Sequence, residues 1–332
     1  MIAGSSVQAQ IPQYIAQDSG RFRVAFTADD AEIIPDLWQT IKLRVPIVES
    51  RLGLGLADTA TFVVTPTEQE WRRMTGGAPL WANGLAFSEK GVAILKSPRF
   101  NLRFGRSLPV TAIHEYVHLL LHAGAPDAEI PRWLDEGLAQ VLAEQMDYRD
   151  DALVARAAVI GQLHRLRDIE WLMSMPAQEA RQAYAESAIA VGLLESRFGM
   201  PGIANLLHEV RGGRPYNEAF STVFQISPGD FENEFREHVR QNYRLTFLGD
   251  TETWISIAFI GLVLAAGIAV WLKRRKTVKR WEEEDRPRTG DPSSSPPPYT
   301  INYQVIRERL RERGDADPPK DEPPFDRPVP GN

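Results

Sequence analysis

Val110-Thr-Ala-Ile-His-Glu-Tyr-Val-His-Leu-Leu-Leu-His122 is the stretch from which the rest of the chain is read. Ser107 supplies a helix cap, Pro109 fits a first helical turn and Gly124 marks a stop, so a helix is expected between them. Val110, Ile113, Val117 and Leu119 to Leu121 make that helix a buried one, where paired polar side chains need a reason. His114 and His118 are four apart and share one helix face. Two imidazoles so placed can hold one metal ion, and Glu115 beside them can take a proton from a water on that metal. Zinc suits such a site, because it keeps one position open and lowers the pKa of its water toward about 7.

A hydrolytic zinc centre needs a third protein ligand. Pro131-Arg-Trp-Leu-Asp-Glu-Gly-Leu-Ala139 offers Glu136, on a second helix that a loop with Gly124 and Pro126 can fold back onto the first. Asp135 is the competing choice. It points about 100° away around that helix and is better placed to orient a histidine N–H.

The two motifs together, His-Glu-x-x-His and Trp-Leu-x-Glu-Gly-x-Ala, resemble those of the gluzincin zinc peptidases, specifically the peptidase MA-like proteins related to thermolysin and the M1 aminopeptidases. The resemblance covers roughly residues 60–245. It implies a zincin-like (thermolysin-like) α+β fold with a mixed N-terminal sheet and a helical C-terminal part. It also implies His114, His118 and Glu136 as zinc ligands, Glu115 as general base and a peptide or protein substrate. A strand–hairpin segment precedes the motif in such proteins. Gly84 to Leu95 matches it, and its edge strand, at Gly91, Val92 and Ala93, would pair with an extended substrate. Tyr184 takes the place of the later-helix Tyr or His that stabilises the oxyanion, with Ser187 one turn on. Asp135 stands where the thermolysin pattern has Asn, and no Gly-x-Met-Glu-Asn-like stretch for a substrate amine is present. The resemblance therefore implies an endopeptidase rather than an aminopeptidase. A catalytically silent scaffold on the same fold is the alternative, and the intact Glu115 speaks against it.

Around this segment the chain falls into zones. Residues 20–247 read as the globular peptidase-like domain. Strand patterns occur at Arg21–Phe26, Thr61–Thr65, Gly84–Phe87 and Gly91–Leu95, and a helical one at Asp36–Leu54. Further helices are expected over 176–198, ended by Gly199, and from Ser227-Pro228 to about Tyr243. Strands first and helices later give α+β. Residues 1–19 form an N-terminal segment in which Val7-Gln8-Ala9 resembles a cleavage site, a candidate remnant of a signal peptide.

Residues 254–272 are apolar without a charge, with Trp254 and Trp271 at the ends and Lys273-Arg-Arg-Lys276 after them. This predicts one transmembrane helix over 253–272 in the cell membrane, with the globular part extracytoplasmic and the tail cytoplasmic. Residues 273–332, with Pro296-Pro-Pro-Tyr299, read as a disordered tail of unknown partner. A net charge of −6 argues against a nucleic-acid binder, and the lack of cysteine removes disulfides, thiol nucleophiles and thiolate zinc sites.

Overall fold

Alternating apolar residues in the first hundred positions build a five-stranded mixed sheet, and later residues build helices packed beside it. The computed structural model describes residues 12–100, 107–125, 127–145, 148–243 and 251–284. Strand β1 (Ile15–Ser19) turns through Gly20 into β2 (Phe22–Phe26), and helix α1 (Ile34–Leu52) carries the chain to β3 (Ala60–Thr65). After α2 (Glu68–Thr75) come β4 (Gly84–Phe87) and β5 (Val92–Lys96). The order across the sheet is β1-β2-β3-β5-β4, with β2, β3 and β5 parallel and the two outer strands antiparallel to their neighbours.

Val24, Phe62, Val64, Ala93 and Leu95 form one sheet face and share a core with α1 and with α3 (Leu108–His122). Ile94 on the other face packs with Trp71 of α2. The α3 N-terminus is capped as its sequence suggests, by the Ser107 hydroxyl accepting from the Val110 amide. Its last carbonyls are served from afar. The Arg211 guanidinium donates to the carbonyls of Leu120, Leu121 and Ala123, which satisfies acceptors that the helix leaves open. Tyr116, between the two motif histidines in sequence, points toward α1 and donates to Glu49 at 2.6 Å. Both ends and the back of α3 are thus held.

The helical part comprises α4 (Arg132–Leu142), α5 (Tyr148–Val159), α6 (Ala177–Arg211), α7 (Tyr216–Phe224) and α8 (Pro228–Asn242). Gly199 ends the first helical stretch as expected: at φ 69°, ψ 165° it separates residues 177–198 from a second stretch that completes α6. Helices α4 and α6 approach closely because Gly137 has no side chain. A Cβ there would stand 2.8 Å from the Ser187 carbonyl carbon. Ile15–Ser19, expected in an N-terminal segment, is the sheet's fully exposed edge strand.

One expectation is corrected. Among the described residues no helix is long and apolar enough to cross a membrane. Residues 254–272 are helical, but within α9 (Thr251–Glu284), which runs unbroken through Lys273, Arg274, Arg275 and Lys276. The basic residues therefore belong to the same rod as the apolar ones, and the Arg275 guanidinium folds back over the Trp271 ring at 4.4 Å. Residues 273–284, assigned by sequence to an irregular tail, continue that helix. Val7 to Ala9 and the Pro-Pro-Pro-Tyr stretch lie outside the described residues.

Gly137→Ala should cost about 1–3 kcal/mol through overpacking of α4 on α6. Urea denaturation measures this, and an unchanged midpoint would mean that the two helices are not in such close contact.

Candidate metal centre

Helix α3 sets His114 and His118 one turn apart, and the loop through Gly124 (φ 71°) returns the chain so that α4 lies against it. Three ligand atoms then converge. His114 Nε2 and His118 Nε2 are 3.1 Å apart, and Glu136 Oε2 lies 3.3 Å from the first and 3.4 Å from the second. All three residues are buried, and they form the one His/Asp/Glu group found among the described residues that could hold a metal ion.

The spacing tests the fit. Four ligands at about 2.0–2.1 Å from a tetrahedral zinc stand roughly 3.3–3.4 Å apart. Glu136 Oε2 is buried and makes no hydrogen bond of good geometry, although two imidazole nitrogens face it. An acceptor in that state is suited to a cation. The donor set, two imidazoles and a carboxylate, is one that zinc takes.

Around these atoms lies a second layer of charge. Asp135 Oδ1 is 2.8 Å from His118 Nδ1, which leaves Nε2 facing the other two ligand atoms. Its Oδ2 is 3.1 Å from His122 Nε2. The Arg132 guanidinium is 3.7 Å from Asp135 Oδ2 and 3.6 Å from Glu136 Oε1. Burial works against ionising both carboxyls, yet His118 and the other histidine beside each prevail. Glu136 is held down to about 2, and Asp135 well below the usual carboxylate range. Burial likewise opposes charge on His118, but Asp135 and Glu136 raise it well above the ordinary imidazole value. A cation in the centre would replace that proton.

Glu115 faces the strand. A Cβ on Gly84 would stand 2.6 Å from its Cγ, so the glycine makes room for the carboxylate. The Ala86 amide donates to it. Burial, with Glu136 and Asp135 adding to it, pushes the Glu115 carboxyl up to about 8, against the opposing pull of His118. Tyr184 of α6 brings its ring to 6.2 Å from that of His114 and 6.2 Å from that of Trp81.

Two expected positions lie elsewhere. Gly91, Val92 and Ala93 are not at an edge: β5 pairs with β3 on one side and β4 on the other, so its backbone groups are used. The edge strand is β4. Ser187 is buried and donates to the Ala183 carbonyl at 2.8 Å, within its own helix, and does not serve the centre. Sequence reading missed Gly84, Ala86, Arg132 and the link from His122 to Asp135. His122 carried a signal, since it follows His118 by one further turn.

The chain matches the model of the Peptidase MA superfamily over residues 60–241. That span contains β3 to β5, α3, α4 and α6, and so every residue of the centre. No curated protein matches the chain.

The raised Glu115 pKa has a sign. Between about 4.5 and 8 the unfolded chain releases this proton and the folded, metal-free protein keeps it, so its contribution to stability falls as pH rises through that window. Glu115→Gln should therefore raise the melting temperature in chelator more at pH 8 than at pH 5. A pH-independent difference would contradict the assignment.

Proposed function

The chain belongs to the Peptidase MA superfamily, and on that premise we propose that it is a zinc-dependent endopeptidase with Glu115 as general base. The observation that carries this reading is the convergence of His114, His118 and Glu136 beside a buried carboxylate at a sheet edge.

Each part has a task in peptide hydrolysis. Zinc, held by His114 Nε2, His118 Nε2 and Glu136 Oε2, would supply Lewis acidity toward a water and the peptide carbonyl. Asp135 keeps His118 in the tautomer that presents Nε2. Glu115 takes the proton of the attacking water and passes it to the leaving nitrogen. A cation beside Glu115 favours the ionised form that this work requires, offsetting the burial that raises its pKa in the metal-free protein. Tyr184, whose ring lies 6.2 Å from that of His114, is assigned to the developing oxyanion.

The sheet supplies the seat for the substrate. Lys96 donates its amide to the Asn83 carbonyl, so in the β4–β5 ladder Asn83, Leu85 and Phe87 face inward and Gly84 and Ala86 face outward. Among the described residues no strand lies beyond β4. The Ala86 amide is held by Glu115, and an extended peptide can pair with the outward groups that this contact leaves, which brings its backbone alongside Glu115. Strand addition of this kind reads a chain's middle as well as its ends, and the endopeptidase assignment rests on that and on the lack of an amine-recognising stretch.

Glu115→Gln should retain about one zinc per chain and lose at least about 100-fold in peptide hydrolysis, the scale of a lost general base. His118→Ala should lose both. Metal analysis with a quenched-peptide assay reads the two together, and a Glu115→Gln variant of undiminished activity would defeat the proposal.

A further inference from the structure

Trp81 lies just ahead of β4 and has no task in the reading above, yet its ring stands 6.2 Å from that of Tyr184, with 78° between the planes. The Tyr184 ring in turn stands 6.2 Å from that of His114, at 67°. Both pairs meet edge to face, an arrangement that aromatic rings prefer. An indole, a phenol and an imidazole thus form one row that ends on a candidate metal ligand.

Trp81 is itself held in place. In the turn that carries it, the Ala78 amide donates to the Thr75 hydroxyl at 3.2 Å and the Ala82 amide to the Pro79 carbonyl at 3.1 Å. The turn is also pinned to β5. The Lys96 amide donates to the Asn83 carbonyl at 3.0 Å, and the Lys96 ammonium donates to the carbonyl of Leu80, the residue before Trp81. That ammonium lies 4.7 Å from the Trp71 ring centroid, and Lys96 is only 4% exposed. A buried ammonium is costly unless its bonds are made, and here one of them fixes the turn. The Trp81 side chain packs against both apolar clusters, the large one shared with α3 and the small one around Trp71. Tyr184 is only half-buried on α6. A tyrosine so placed can pass between staggered rotamers unless a neighbour closes the way.

We propose that Trp81 is a positioning residue, whose indole holds the Tyr184 phenol in the rotamer that lies against His114. Its effect on catalysis rests on the peptidase reading and on the role given there to Tyr184; the ring contact itself does not. The turn that bears Trp81 runs directly into β4, so Tyr184 is tied to the strand that seats the substrate.

The test uses the zinc-loaded full chain. Trp81→Leu keeps an apolar side chain in the turn and removes the ring, and Trp81→Phe restores a ring. In a quenched-peptide assay Trp81→Leu should lower kcat about 10-fold with KM within about twofold, and Trp81→Phe should recover most of the loss. In a Tyr184→Phe background the same Trp81→Leu change should cost less than about twofold, because the hydroxyl that it serves is already gone. An equal loss in both backgrounds, or a rise in KM with kcat kept, overturns the role. A second arm needs no turnover. With isotopically labelled tyrosine, NMR couplings across χ1 of Tyr184, identified by its loss in Tyr184→Phe, should report one rotamer in the parent chain and in Trp81→Phe. They should report an average of rotamers in Trp81→Leu, while the other tyrosines keep theirs. An unchanged single rotamer in Trp81→Leu overturns the proposal, and so does a change at every tyrosine, which would make Trp81 a residue of the fold at large. If no peptide is cut, the peptidase reading fails and this arm alone decides whether Trp81 holds Tyr184.

Discussion

Two imidazoles and two carboxylates share a space between α3 and α4 from which water is nearly excluded. Four such groups are costly to bury unless their charges and hydrogen bonds match. His118 sits at the centre of the match, bonded to Asp135 through Nδ1 and facing Glu136 through Nε2. Removing either carboxylate would take away one of the two that face His118, and removing His118 would take from both carboxylates a partner they share. The neighbouring structure serves to hold this arrangement. Arg211 closes the end of α3, Tyr116 fixes its back to α1, and Gly137 lets α4 lie flat on α6.

Glu115 illustrates how one residue answers to two constraints. Its place in the motif puts it on the flank of α3 that meets β4, where only glycine leaves room for it. The same contact buries it and raises its pKa. On the proposed function, a cation beside Glu115 would favour the ionised form against the burial that raises its pKa.

Much of the centre was legible in the sequence because it depends on local periodicity. Spacing of four on a helix fixes His114 and His118 without reference to the rest of the fold. Glu136 needed only a short loop and a second helix. The edge strand is harder to read, because its identity depends on a distant partner. Either strand of the β4–β5 hairpin could have docked on β3, and sequence order does not say which. Strand β1 escaped notice because all its residues are exposed and show no alternation. The apolar run after residue 253 was read as an element in itself, when it is part of a longer helix that includes its basic flank.

The most direct measurement is anomalous diffraction at the zinc edge from crystals of the zinc-loaded protein. A single peak within about 2.0–2.2 Å of His114 Nε2, His118 Nε2 and Glu136 Oε2 is predicted. An ion lodged instead between Asp135 and His122, or no peak within reach of His114 and His118, would contradict the account.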